Sequence, residues 1–290
     1  MELRVLGPIE VVDDDGRASP VTGRSRRLLT VLVLRRGQVV GRDELADLVW
    51  GGDPPPTATT ALRGSIQRLR DHLDPGRRAG ACSILRQDGD GWRLAPEIDQ
   101  VDADRFERAV RPASATATGT ATATDVERWR AALDLWRGPA LAEVRDELDE
   151  ARAAAVRLDE LRLEVLGRCL DRALEQGAHA AVVGELRGLV ETHPYDERFV
   201  RQLMVALHRD GRQADALAVF EGLRVRLLED LGIRPGPAVD ALHRLVLAGD
   251  RALDHPLALP GPAARIEDRV LVHPCGARRR NRGRHPRPAA

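Results

Sequence analysis

The chain has 290 residues, 43% of them apolar and 31% charged, which is enough for two domains that each bury a core. Its 45 acidic and 45 basic residues cancel, and every basic one is an arginine. Without lysine there is no P-loop lysine and no Schiff-base nucleophile, which disfavours P-loop NTPases and pyridoxal-phosphate enzymes.

No run of 18 apolar residues exists to span a bilayer; "LLTVLVL" at 28–34 is too short. The opening "MELRVLGPIEV" has no basic start and no small-residue cleavage site, so no signal peptide is expected. Cys82, Cys169 and Cys275 are far apart and odd in number, which suits reduced thiols in a cytosol. The neutral total hides a local bias. Between Arg24 and Arg93 there are 13 arginines and 8 carboxylates, and the last 15 residues hold 6 arginines and no acid. Local fields decide whether a phosphate backbone is attracted.

Residues 1–12 alternate apolar and polar before "DDDG", and "SPVTG" follows, predicting a short strand, a turn and a second strand. "RSRRLLTVLVLRR" (24–36) is apolar nearly all round, and its length and basic ends favour a buried helix closed by Gly37. "GRDELADLVWG" (41–51) predicts a short amphipathic helix with Leu45, Leu48 and Val49 inward, stopped by "GDPPP". A third helix opens at Thr57 or Thr59, either of which can cap it. "SILRQDGDGWRLA" (83–95) then gives two strand-like runs around an Asp-Gly turn, a strong hairpin signal. Strands, three helices and a hairpin make a winged helix-turn-helix.

The third helix, "TTALRGSIQRLRDHL" (59–73), carries Leu62, Ile66, Leu69 and Leu73 on one stripe. Thr60, Arg63, Gln67 and Arg70 form a second ridge, with Arg68 on the other side. Such a helix can pack on its domain and lie in a major groove at once. Arg63 offers a bidentate fork to guanine and Gln67 one to adenine, with Thr60 beside them. Arg68 and Arg70, near the far end, suit phosphates, and Arg26 and Arg27 (with Arg24) add candidate phosphate contacts at the first helix, where plain solvated charge is the competing reading. The hairpin would be the wing, its tip near the minor groove or backbone through Arg86, Gln87 and Arg93. Asp88 and Asp90 would keep the tip itself off the phosphates. Trp92 is read as core packing rather than base stacking, and Trp50 as a core anchor.

"LRVLGPIEV", "GRSRRLLTVLVL", "DELADLVWGGDPP" and "ALRGSIQRLRDHLD" resemble the DNA-binding domain of the SARP-type (antibiotic regulatory protein) activators, which carry an OmpR-type winged helix. "I-x-R-L-R" at 66–70 matches that family's recognition helix. Gly64 and Ser65 depart from it, and the glycine is expected to weaken the helix by about 1 kcal/mol. In OmpR-type relatives the loop between the second and third helices can touch RNA polymerase, which makes Asp53, Pro54, Pro55 and Pro56 candidates for that contact. The competing reading is that the prolines only stop a helix.

"ADRFERAV" (103–110) ends the first domain and begins a helical one. "PASATATGTATATD" (112–125) is low-complexity Ala/Thr, read as an exposed loop. Helices follow at 150–176, 178–193, 196–209, 212–231 and 236–249. Gly177 and Gly211 are 34 residues apart, the tetratricopeptide (TPR) period. Val182 and Ala216, Leu186 and Phe220, and Leu189 and Leu223 follow at matching offsets, whereas Pro194 is matched by Leu228. "LDLWRGPALAEV" (133–144) and "GRQADALAVFEGLRVRLLEDLGIRPGPAVDALHRLVL" (211–247) resemble the bacterial transcriptional activator (BTAD) domain of the same family.

The expected chain is therefore mainly α: a winged helix-turn-helix (1–100), an all-α TPR-like activator domain (101–250), and a Pro-, Gly- and Arg-rich tail (251–290) expected to be disordered. That tail reads as a natural end or as a remnant of a longer form, since larger members continue into a nucleotide-binding domain. The resemblance implies a cytoplasmic activator of an antibiotic or other secondary-metabolite gene cluster. Its implied partners are double-stranded DNA at promoter direct repeats, RNA polymerase and a second copy of the chain, with no membrane and no cofactor. No H-E-x-x-H, G-x-S-x-G or G-x-G-x-x-G pattern appears, and "HPC" (273–275) reads as chance, so an enzyme is not expected. The alternative is a TPR-like interaction scaffold without DNA binding of its own.

Overall fold

A computed structural model describes residues 1–74, 84–95, 100–111 and 122–254. Cys82, Cys275, the "HPC" triplet, most of the Ala/Thr stretch (112–121) and the tail from 255 lie outside the described residues. Described residues form six strands and ten α-helices, so the protein is mainly α with two small sheets near its N-terminus.

The first sheet has three antiparallel strands, β1 (Glu2–Arg4), β2 (Glu10–Val12) and β3 (Ala18–Pro20), in sequential order. Two strands are expected, one on each side of the "DDDG" turn; the second overlaps β3, while the run 1–12 divides into β1 and β2. Three helices follow: α1 (Gly23–Leu34), α2 (Arg42–Trp50) and α3 (Ala58–Leu73). The wing is β5 (Leu85–Asp88) and β6 (Gly91–Leu94), and the short β4 (Val40–Gly41) pairs with β6 to give the order β4-β6-β5. Trp92, opposite Val40 in that pairing, is buried, as a core residue should be.

The nearly continuous apolar run of α1 has a physical cause. Residues Leu28 to Val33 are all buried, because α1 packs on α2 and α3 on one side and on α6 (Asp149–Glu175) on the other. A helix covered on both sides needs no polar face along its middle.

The helical half begins with α4 (Asp102–Val110) and α5 (Ala123–Leu133), passes through a turn-rich segment at 134–148, and enters the 27-residue α6. Two helix pairs in the TPR manner then follow: the end of α6 with α7 (His179–Thr192), and α8 (Glu197–Arg209) with α9 (Gln213–Leu231). α10 (Pro237–Ala248) closes the array. Gly177 and Gly211 both adopt positive φ, at 80° and 73°, in equivalent turns. Where Pro194 stops α7 at 14 residues, Leu228 lets α9 run on to 19.

The buried core does not follow the boundary drawn near residue 100. One cluster runs from Leu3 through α1, α3 and the wing to α4, α5 and the first part of α6, as far as Cys169. A second begins at Leu170 and holds α7 to α10. The winged helix and the start of the activator domain thus share one core, whose division from the repeats falls inside a single continuous helix. Cys169 is a free thiol at that division, and burial pushes its pKa up.

Asp102 secures the junction. It is 1% exposed and accepts hydrogen bonds from the backbone N–H groups of Val5 (2.8 Å) and Leu6 (3.0 Å). Arg137 lies 3.5 Å from the same carboxylate and reaches Glu10 at 2.8 Å. Burial raises the pKa of Asp102, opposed by those N–H groups and by Arg137. Gly7, at φ 138°, lets the chain pass: a Cβ there would meet Arg137 at 3.0 Å.

Candidate nucleic-acid interface

α2, a turn and α3 form the helix-turn-helix. α2 ends on Gly51 and Gly52, both with φ in the left-handed range (72° and 89°), where other residues would be strained. The following loop presents Asp53, Pro55 and Pro56 to solvent and half-buries Pro54. Thr57 occupies the N-cap of α3 without a side-chain cap hydrogen bond, so capping is not what starts this helix. Its amphipathic stripe is: Leu62, Ile66, Leu69 and Leu73 are all buried against α1 and α2.

The opposite ridge separates by angle. With about 100° per residue, Thr60, Arg63 and Gln67 fall roughly 100–160° from Leu62, while Arg70 falls only about 80° away. Thr60, Arg63 and Gln67 are exposed accordingly. Arg63 makes no hydrogen bond or ion pair among the described residues, and Gln67 donates to Asp71 one turn on at 3.0 Å. Arg70 is half-buried and donates from Nε and one terminal nitrogen to the Leu85 carbonyl, at 3.4 and 3.3 Å, tying α3 to the foot of the wing. Arg68 is exposed on the far flank and reaches the Ser65 hydroxyl at 3.2 Å. The helix continues unbroken through Gly64, and the fully buried Ser65 turns its hydroxyl back to the Ala61 carbonyl.

In the wing, Gly89 and Asp90 make the turn, and Arg86 and Gln87 are exposed. Gln87 donates to the Gly89 carbonyl at 3.3 Å. Arg93 is half-buried, 3.4 Å from Asp88 across the hairpin, so its charge is partly neutralised within the wing.

Arg26 and Arg27 are already paired within the chain. Both are candidates for phosphate, and both face carboxylates of the activator domain. Arg26 lies 3.3 Å from Glu143, and Arg27 lies 2.5 Å from Glu147 and donates to the Val49 carbonyl at 2.9 Å. The pattern continues along α1 and just past its end. Arg35 is paired with Glu44 and Glu150, which holds its guanidinium pKa well above the ordinary value, and Arg36 is paired with Asp104. Arg24 instead lies over the Trp50 ring, 5.2 Å from its centroid, while Trp50 packs partly into the core.

These carboxylates are the functional contacts that sequence reasoning missed. Glu143, Glu147 and Glu150 recur at helical spacing in "AEVRDELDE" (142–150), a signal that was available. What they face lies more than a hundred residues away in the chain.

Comparison with known families follows the same two halves. Residues 16–94 match "Transcriptional regulatory protein, C terminal" and residues 101–247 match "Bacterial transcriptional activator domain". Regulatory protein DnrI of Streptomyces peucetius is 32% identical over 258 residues, covering 88% of this chain and 94% of DnrI. The chain belongs to the SARP-type transcriptional activators. Within that family, regulatory protein AfsR of Streptomyces coelicolor is 36% identical over 86% of this chain, which spans only 24% of AfsR. Transcriptional regulator RedD of the same organism is 34% identical, with 89% of this chain and 74% of RedD covered. Among solved structures, Mycobacterium tuberculosis EmbR in complex with a low-affinity phosphopeptide superposes with a TM-score of 0.70 at 28% identity, covering 87% of this chain and 68% of EmbR. In this chain the exposed Thr60-Arg63-Gln67 ridge and the wing stand on a core shared with the activator domain. No helix among the described residues is long and apolar enough to cross a membrane.

Proposed function

We propose that this SARP-type protein binds direct repeats in a promoter of a biosynthetic gene cluster, of the antibiotic or other secondary-metabolite kind, and recruits RNA polymerase there. α3 lies in the major groove, with Arg63 on a guanine and Gln67 on an adenine, Thr60 beside them. Arg68 meets the phosphate backbone, and Arg70 holds the wing to the reading helix. Arg86 and Gln87, with Arg93 behind them, approach the adjacent minor groove or backbone. The Asp53–Pro56 loop is the polymerase-facing surface. Two copies, arranged head to tail in the cytoplasm, occupy repeats about one helical turn apart.

One observation carries the reading: Arg63 and Gln67 stand exposed on α3, opposite a stripe of buried leucines that fixes the helix on its domain. Arg63 has no partner among the described residues, which leaves its full fork for a base edge.

A gel-shift series on promoter fragments neighbouring the gene tests this. Retardation that weakens steeply with added salt, and a tenfold or greater preference over scrambled duplex, are expected. No retardation at low salt would favour the scaffold reading. Equal binding to scrambled DNA would remove base readout by α3.

A further inference from the structure

Between the winged helix and the activator domain lies a cleft of about 440 Å³, in the size range of small-molecule sites, which favour domain junctions. Its floor is apolar: Val5, Val33, Val101, Ala103, Leu141 and Leu158 are all buried. Its walls come from α1, α4 and α6.

The rim is charged and balanced. Arg35, Arg36 and Arg157 alternate with Asp104, Glu107 and Glu150, and each arginine already has an acidic partner, Arg157 with Glu107 at 2.7 Å. A ligand bearing a net charge of either sign would leave one member of a half-buried pair uncompensated. The rim nevertheless retains donors. Arg36 uses two of its five N–H groups, one on the Val33 carbonyl and one on Asp104. The Gln38 side-chain amide has no partner among the described residues.

We propose that this cleft binds an uncharged small molecule with an apolar body and oxygen acceptors along one edge. The body lies on the valine and leucine floor, and the acceptors meet Arg36 and Gln38. Such a molecule would touch the winged helix, α4 and α6 together, at the place where α1 leans on the activator domain.

The test is a fluorescence titration of the whole chain with Nile red, an uncharged planar dye with a carbonyl oxygen at one end. Saturable, blue-shifted binding at one site per chain is expected. Ala154→Trp, which fills the cleft, and Ala153→Trp, at its exposed rim, should each weaken it at least tenfold with unchanged far-UV circular dichroism. If Ala154→Trp fails to fold, Ala153→Trp decides. Ile233→Asp, in the separate apolar groove beside Tyr195 and Leu231, should leave binding unchanged. Pyrene, which has no acceptor, should compete at least fivefold less well than unlabelled dye analogue carrying the carbonyl. Absence of saturable binding, survival of binding in both tryptophan variants, loss only in Ile233→Asp, or equal competition by pyrene would each overturn the proposal.

Discussion

α1 and α3 both carry arginines within the same basic stretch, and the fold uses them oppositely. Arg26 and Arg27 on α1, with Arg35 and Arg36 just past its end, turn to Glu143, Glu147, Glu150 and Asp104 of the activator half. Arg63 on α3 stands exposed with no partner among the described residues. The excess of positive charge between residues 24 and 93 is therefore not one nucleic-acid patch. Part of it neutralises an acidic wall across a domain junction, and part is left for a ligand. A local charge count gives the strength of a field and says nothing about which neighbour it serves.

Four variants sharpen that contrast. Asp102→Ala should be the most damaging to stability, since it strands the buried backbone N–H groups of Val5, Leu6 and Ala103 and the neighbouring Arg137; a loss of about 3 kcal/mol is expected, read as a fall in the thermal midpoint. DNA affinity of the molecules that remain folded should not change. Combining Arg63→Ala with Gln67→Ala should leave the midpoint in place and weaken the preferred promoter fragment by about 100-fold, with scrambled duplex barely affected. Retained preference in that double variant would move base readout elsewhere.

A third variant, Arg26→Ala with Arg27→Ala, should show the reverse profile. These partly buried pairs are worth about 1 kcal/mol together, so the midpoint drops slightly while DNA affinity changes less than twofold. A large loss of affinity with a reduced salt slope would return both residues to the phosphate backbone. The smallest effect should come from Arg68→Ala: about threefold weaker binding to every duplex alike, with the salt slope reduced by about one. Gel-shift titrations at several salt concentrations separate the last two.

Much of the arrangement was legible beforehand because it is written in local periodicity. The four-three-four spacing of Leu62, Ile66, Leu69 and Leu73 announces both the helix and its buried side, and the Asp-Gly turn announces the wing. The 34-residue interval between Gly177 and Gly211 marks two equivalent turns. The division of the 1–12 run into β1 and β2 escaped notice because a reversal that short leaves no break in the alternation. Arg70 looked like its neighbours on the ridge, yet it lies nearest the buried stripe and ends on the Leu85 carbonyl.

The sequence by itself determined the element order, the buried face of each amphipathic helix, the repeat period and the residues offered to solvent on α3. Only the tertiary structure decided that α1 is covered on both sides, that its arginines meet carboxylates more than a hundred residues onward, and that one core crosses the apparent domain boundary. The reason is one of range. Side-chain spacing along a helix or strand encodes which face is apolar, within a few turns. Which charged partner lies opposite depends on how whole elements dock, and no short window of residues contains that information.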